Sequence, residues 1–175
     1  MNEMQRQTIT VIGCGNPYAG DDAAGVKVVE ALRRAAPEDL CLRLVDDLGP
    51  GFLCDVEDQG SIVILVDAVR SAAAIGTVHF VRLPSASVIP RNVERISTHA
   101  LGLDREIELA SSYGKRTDAF LLGIEIGDHC IGESLSPAVS AAVERVVADF
   151  NYFCGYARSQ TSSHAPLYSG KSDKT

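Results

Sequence analysis

The chain has 175 residues, 46% of them apolar and 22% charged, which suits one soluble globular domain with a sizeable core. A formal net charge of -7 argues against nucleic acid and against an anionic membrane surface as partners, because both call for clustered lysine and arginine. No apolar run approaches the roughly 18 residues of a membrane span, and the polar start MNEMQRQ lacks the order of a signal peptide, so a cytoplasmic location is expected.

Thr8 to Gly13 is β-branched and short, the signature of a buried strand. From Ala23 to Ala36 the apolar residues Val26, Val29 and Leu32 recur at helical spacing, with Lys27, Glu30, Arg33 and Arg34 on the other side, and Pro37 ends the pattern. Leu40 to Asp46 reads as a strand, broken by Gly49-Pro50-Gly51, and a short helix through FLCDVED follows. Ser61 to Val69, SIVILVDAV, is the most hydrophobic run and reads as a central parallel strand buried on both faces. Gly76 to Leu83 is a more exposed strand, Pro84 to Arg91 a loop, and a helix opens at Thr98 or His99 and runs to about Tyr113. Asp118 to Ile126 is the last strand; Ser136-Pro137 then places an N-cap and a first-position proline ahead of a final helix through Phe153.

Strands alternating with helices imply an α/β fold, a three-layer α/β/α sandwich on a mostly parallel twisted sheet of about five strands. Residues 7–154 are expected to form one domain, and residues 155–175, which lack apolar periodicity, a disordered tail. Five cysteines, Cys14, Cys41, Cys54, Cys130 and Cys154, are scattered and odd in number, with no C-x-x-C, so neither a disulfide framework nor a structural zinc site is expected.

The segment VIGCGNPYAGDDAAGV resembles a phosphate-binding strand–turn–helix unit, but two features oppose that reading. Tyr18 stands where a dinucleotide fingerprint needs its third glycine, and Asp21 and Asp22 would repel a pyrophosphate at the helix start. A P-loop around Gly170 fails because Ala165 replaces its first glycine.

In a parallel α/β sheet, sites form beyond the carboxyl ends of the strands. Asp21 and Asp22 follow the first strand, Asp67 interrupts ILVDAV where its strand should end, and His99 begins a helix after a long loop. Taken singly, either aspartate of the pair can be a helix cap, Asp67 can bond a neighbouring loop, and His99 can be an ordinary first-turn residue. Taken together on one sheet edge, carboxylates and an imidazole make a donor set for nickel or zinc. Cys14 is read as a packed thiol, with a Cys14–His99 nucleophilic pair as the competing chemistry. His79 is read as a surface strand residue, and Asp128-His129-Cys130 as loop.

The segments GCGNPYAGDDAAGV, ILVDAV, STHALGL and IGESLSPAV resemble the nickel–iron hydrogenase maturation proteases in order and spacing, over roughly residues 8–153. That resemblance implies an endopeptidase that removes the C-terminal extension of a hydrogenase large-subunit precursor after nickel insertion. It implies that Asp22, Asp67 and His99 contact nickel supplied by the precursor, with Asp22 where some members have glutamate. Asp21 then caps the helix or orients the site, and Gly13, Gly15 and Asn16 shape the turn through φ > 0 conformations. A monomer is expected. The alternatives are a non-cleaving metal- or precursor-binding chaperone on the same fold, a cysteine hydrolase, and a nucleotide-binding module.

Overall fold

A computed structural model describes residues 8–35, 40–44, 51, 61–83, 105–106, 108–114, 117–127 and 134–161. Strand β1 (Ile9–Gly13) leads through a 3-10 turn, Gly20–Ala23, into helix α1 (Ala24–Ala35). Strands β2 (Leu40–Leu44), β3 (Ser61–Val69), β4 (Val78–Leu83) and β5 (Thr117–Glu125) follow. Helices α2 (Pro137–Ala148) and α3 (Phe150–Thr161) close the described chain.

The five strands form one sheet in the order β2-β1-β3-β5-β4. All neighbours are parallel except β4, which runs antiparallel to β5 at the edge. The sheet is therefore mixed and mostly parallel, flanked by helices as an α/β/α sandwich. The expected strands at 8–13, 61–69, 76–83 and 118–126 are present within a residue or two of their expected bounds, and β2 ends at Leu44. The short helix expected at 52–58, the loop at 84–91 and the start of the helix expected at 98 lie outside the described residues. The later part of that helix is helical at 105–106 and 108–112.

The alternation of side chains along each strand divides the apolar residues between two faces. Ile9, Val11, Ile62, Ile64, Val66, Phe120, Leu122 and Ile124 pack with Val28, Val29 and Leu32 of α1 and with Val139, Ala142 and Val146 of α2 in one continuous core. Each fully buried valine, leucine or isoleucine there contributes about 2 kcal/mol relative to exposure. The opposite face carries Ile12, Val63, Leu65 and Leu121, which are equally buried. Burial on both faces explains why SIVILVDAV is a continuous apolar run rather than an alternating one.

The final helix is two helices, not one. Asp149 stands between them with φ -97° and ψ 12°, outside the helical range, and its N–H bonds back to the Arg145 carbonyl. α3 then continues to Thr161, so the segment expected to be a tail from residue 155 begins as helix. Phe150, Cys154 and Ala157 anchor it at one-turn spacing, and Phe153 and Tyr156 set their rings edge-on against Phe80 of β4. No helix among the described residues is long and apolar enough to cross a membrane.

Candidate active site

The carboxyl ends of β1 and β3 lie side by side, with Gly13 in register with Val66. Past the end of β1 the Cys14 N–H still donates to the Val66 carbonyl at 2.9 Å, which keeps the chain in step with β3 and sets Cys14 beside Asp67. The chain must then reverse into α1 in a few residues. Gly15 makes this possible at φ 120°, where a Cβ would stand 1.9 Å from the Asp22 carbonyl oxygen. Gly25 lets the start of α1 press onto the strand ends, since a Cβ there would lie 2.2 Å from the Val66 oxygen and 2.4 Å from the Cys14 oxygen.

Asn16 organises the turn by a route that differs from the expected one. Its φ is not positive; its Oδ1 instead accepts from the Tyr18 N–H at 3.0 Å, an Asx turn. Gly13 has no positive φ either, and serves by admitting the Gly25 carbonyl, 2.7 Å from where a Cβ would be.

Asp22 sits in the 3-10 turn that packs against β3, and its Oδ2 accepts from the Asn16 N–H at 2.8 Å. The carboxylate is thus held by the backbone of its own loop, half-buried at the sheet's carboxyl rim. Asp21 caps neither the turn nor α1. It is 5% exposed, and its Oδ1 accepts from the Ser136 N–H at 2.6 Å, just ahead of α2. Asp67 is 2% exposed, with Oδ1 accepting from the Ala68 N–H at 2.9 Å. Its neighbours Val66 and Ala68 point into the core on one face of the sheet, so Asp67 points from the other.

The structure therefore brings the segments of Asp22 and Asp67 to one rim. His99 lies outside the described residues, and so do Asp128, His129 and Cys130. Among the described residues no three of histidine, cysteine, aspartate and glutamate form a group able to hold a metal ion.

Cys14 is 1% exposed, and its thiol is pushed far above its ordinary range, first by burial and then by the negative charge of Asp67. A thiol held protonated is a poor nucleophile, which counts against a cysteine hydrolase built on Cys14.

A second acidic cluster, not anticipated from sequence, lies at the ends of β3, β4 and β5. Glu125 is 2% exposed, yet its Oε1 accepts from the Ser71 N–H at 2.7 Å and its Oε2 from the Ser71 hydroxyl at 2.7 Å. His79 Nε2 stands 3.1 Å from the same Oε2, so this histidine is a partner of a buried carboxylate rather than a plain surface residue. Burial alone would raise the Glu125 pKa, but the Ser71 bonds and His79 outweigh it and hold the carboxyl below its ordinary value. Serine, histidine and glutamate together suggest a hydrolytic triad, but the geometry refuses it. Ser71 Oγ, at 3.4 Å, and Glu125 both address Nε2, whereas a triad needs the carboxylate on the other ring nitrogen. The signal available in the sequence was a lone glutamate inside the apolar run LLGIEI, the same kind of interruption that singled out Asp67.

A family model described as hydrogenase maturation protease matches residues 26–150, a span that includes Asp67 and His99. Among curated relatives, the hydrogenase expression/formation protein HoxM of Azotobacter vinelandii is 31% identical over 157 residues, covering 84% of this chain and 73% of its own. The hydrogenase expression/formation protein HupD of Thiocapsa roseopersicina is 28% identical over 149 residues, or 78% of this chain, which spans 66% of that relative. Among solved structures, the hydrogenase maturating endopeptidase HybD of E. coli superposes with a TM-score of 0.62 at 26% identity, covering 82% of this chain and 90% of that one. The hydrogenase 2 maturation peptidase of Thaumarchaeota archaeon SCGC_AB-539-E09 gives 0.60 at 25% identity, covering 85% and 99%. With most of the chain matched by sequence and by fold, and with acidic residues at the strand ends where such a fold places its chemistry, the chain belongs to the hydrogenase maturation proteases, a family of hydrolytic enzymes.

Proposed function

We propose that this chain is the endopeptidase that removes the C-terminal extension of a nickel–iron hydrogenase large-subunit precursor once nickel has been inserted. The observation that carries the reading is the acidic rim, where the turn bearing Asp22 packs against the strand bearing Asp67 in a chain of this family. In this reading nickel arrives with the substrate, and Asp22, Asp67 and His99 are the residues that would hold it. The donor types suit it, since divalent nickel accepts carboxylate oxygen and imidazole nitrogen and leaves room for thiolates of the precursor. When bound, nickel supplies Lewis acidity at the scissile carbonyl.

The protein's own residues have distinct tasks. Asp67, in β3 and almost fully buried, would be the fixed ligand. Asp22 is the more accessible carboxylate, oriented by the Asn16 N–H, and in this reading it would take the proton of an attacking water. Proton transfer to a positioned carboxylate is worth roughly 10²- to 10⁴-fold in rate. The proposal places a monomer in the cytoplasm.

The test is to incubate nickel-loaded and nickel-free large-subunit precursor with the wild-type chain and with Asp22→Asn, and to follow precursor mass. The expected result is loss of the C-terminal segment only from the nickel-loaded precursor and only with wild type. Binding without any mass change would replace the protease reading with a chaperone. Equal cleavage of nickel-free precursor would remove metal recognition from the proposal.

A further inference from the structure

Two adjacent carboxylates occupy the turn Gly20–Ala23, and they face different partners. Asp22 bonds back to Asn16 within its own loop, whereas Asp21 reaches across 115 residues of sequence to the Ser136 N–H. We propose that Asp21 is a positioning residue. Its carboxylate fixes the turn to the start of α2 and so sets where the Asp22 side chain stands. This inference rests on the function proposed above.

Three observations support it. Of the two tasks expected of Asp21, capping the helix or orienting the site, the first is not performed, since the 3-10 turn receives no side-chain cap. The bond it makes instead is short and charge-assisted, and Asp21 itself is 5% exposed. The turn is tightly packed, because Gly15 lies so close to the Asp22 carbonyl that a Cβ there would overlap it, and the Asp22 N–H donates to the Ala19 carbonyl. A displacement at Asp21 is therefore passed to Asp22 rather than absorbed.

Ser136 offers an independent handle on the same bond. Its φ is -62° and its ψ 154°, a backbone that proline adopts; the substitution removes the N–H and sets the ring Cδ where the Asp21 oxygen stands, so it breaks the bond and displaces the carboxylate. Its hydroxyl has no hydrogen-bond partner among the described residues, so the side chain is not what the bond depends on.

The experiment measures kcat and KM for processing of nickel-loaded precursor, together with the thermal midpoint, for wild type, Asp21→Ala, Asp21→Asn and Ser136→Pro. Asparagine keeps an Oδ1 acceptor for the Ser136 N–H; alanine does not. The expected result is a ~10- to 100-fold fall in kcat for Asp21→Ala and Ser136→Pro, as a misplaced catalytic group gives. KM should stay within about twofold, and Asp21→Asn should recover most of the rate. A wild-type kcat in folded Asp21→Ala or Ser136→Pro overturns the proposal, and so does an asparagine variant as slow as the alanine one. If Asp21→Ala fails to fold, Ser136→Pro and Asp21→Asn decide the matter by the same readings. Failure of the wild-type chain to process the precursor overturns the protease reading itself, an outcome distinct from equal activity of variants and wild type.

Discussion

Two acidic groupings share one edge of the sheet, and they are built in opposite ways. At the ends of β4 and β5, Glu125 is closed in by Ser71 and His79, and both of its oxygens accept bonds from the chain that leaves β3. At the ends of β1 and β3, Asp22 accepts from the Asn16 N–H of its own loop and Asp67 from the N–H of the next residue, Ala68. The first arrangement ties a loop to a strand. The second includes a carboxylate, that of Asp22, oriented from within its own loop. The contrast shows that a buried acid beside a histidine is not by itself a sign of chemistry; what matters is which atoms the local bonds take up.

The largest expected effect comes from breaking the second region without touching its acids. Gly25→Ala puts a Cβ 2.2 Å from the Val66 oxygen and 2.4 Å from the Cys14 oxygen and should cost ~3 kcal/mol or more, read as a lower urea midpoint. An unchanged midpoint would mean that the approach of α1 to the strand ends is loose.

Next is a direct exchange between the two regions. Asp67→Asn should lower precursor processing roughly a hundredfold or more, whereas Glu125→Gln should leave processing close to wild type. Equal losses in the two variants would erase the distinction.

Glu125→Gln sharpens the comparison through pH. The folded pKa of Glu125 lies below its ordinary 4.5, so its ionised form adds stability at neutral pH, and that share is lost as pH falls through the lowered folded value. The variant should be less stable than wild type at pH 7 by about 1–3 kcal/mol, the worth of charge-assisted bonds. The gap should close as the medium is acidified past that point. Parallel urea midpoints for the two proteins from pH 7 downward would count against it.

The smallest effect is expected at Cys14. Cys14→Ala removes a buried thiol and should cost about 1 kcal/mol while processing continues at the wild-type rate. Loss of processing in a folded variant would bring the cysteine hydrolase back.

Much of the fold was legible because its strands carry strong local signals. SIVILVDAV is long, β-branched and bounded by turn residues, and β3 spans Ser61–Val69 as expected. The two α helices after residue 136 were less legible, since the break at Asp149 comes from backbone dihedrals that a pattern of apolar residues does not encode. The apolar spacing of Phe150 and Cys154 carries on to Ala157, past residue 155 where composition alone suggested that a tail begins. At the site, Asp22 and Asp67 were visible as acids at predicted strand ends. The partners of Asp21 and Glu125 were not, because Ser136 and Ser71 are 115 and 54 residues away in sequence and only the sheet order brings them close.

The parallel order of the central strands also has a kinetic consequence. Ile9 pairs with Ile62, and Ile62 with Asp118, so the middle of the sheet depends on closing long loops before any ladder forms. The turn that bears Asp22 follows β1 and Asp67 lies in β3, so the acidic rim forms only when these two strands pair across the intervening chain. Competence for the proposed cleavage then depends on a non-local strand pairing, a slow kind of contact to form, rather than on any one local segment.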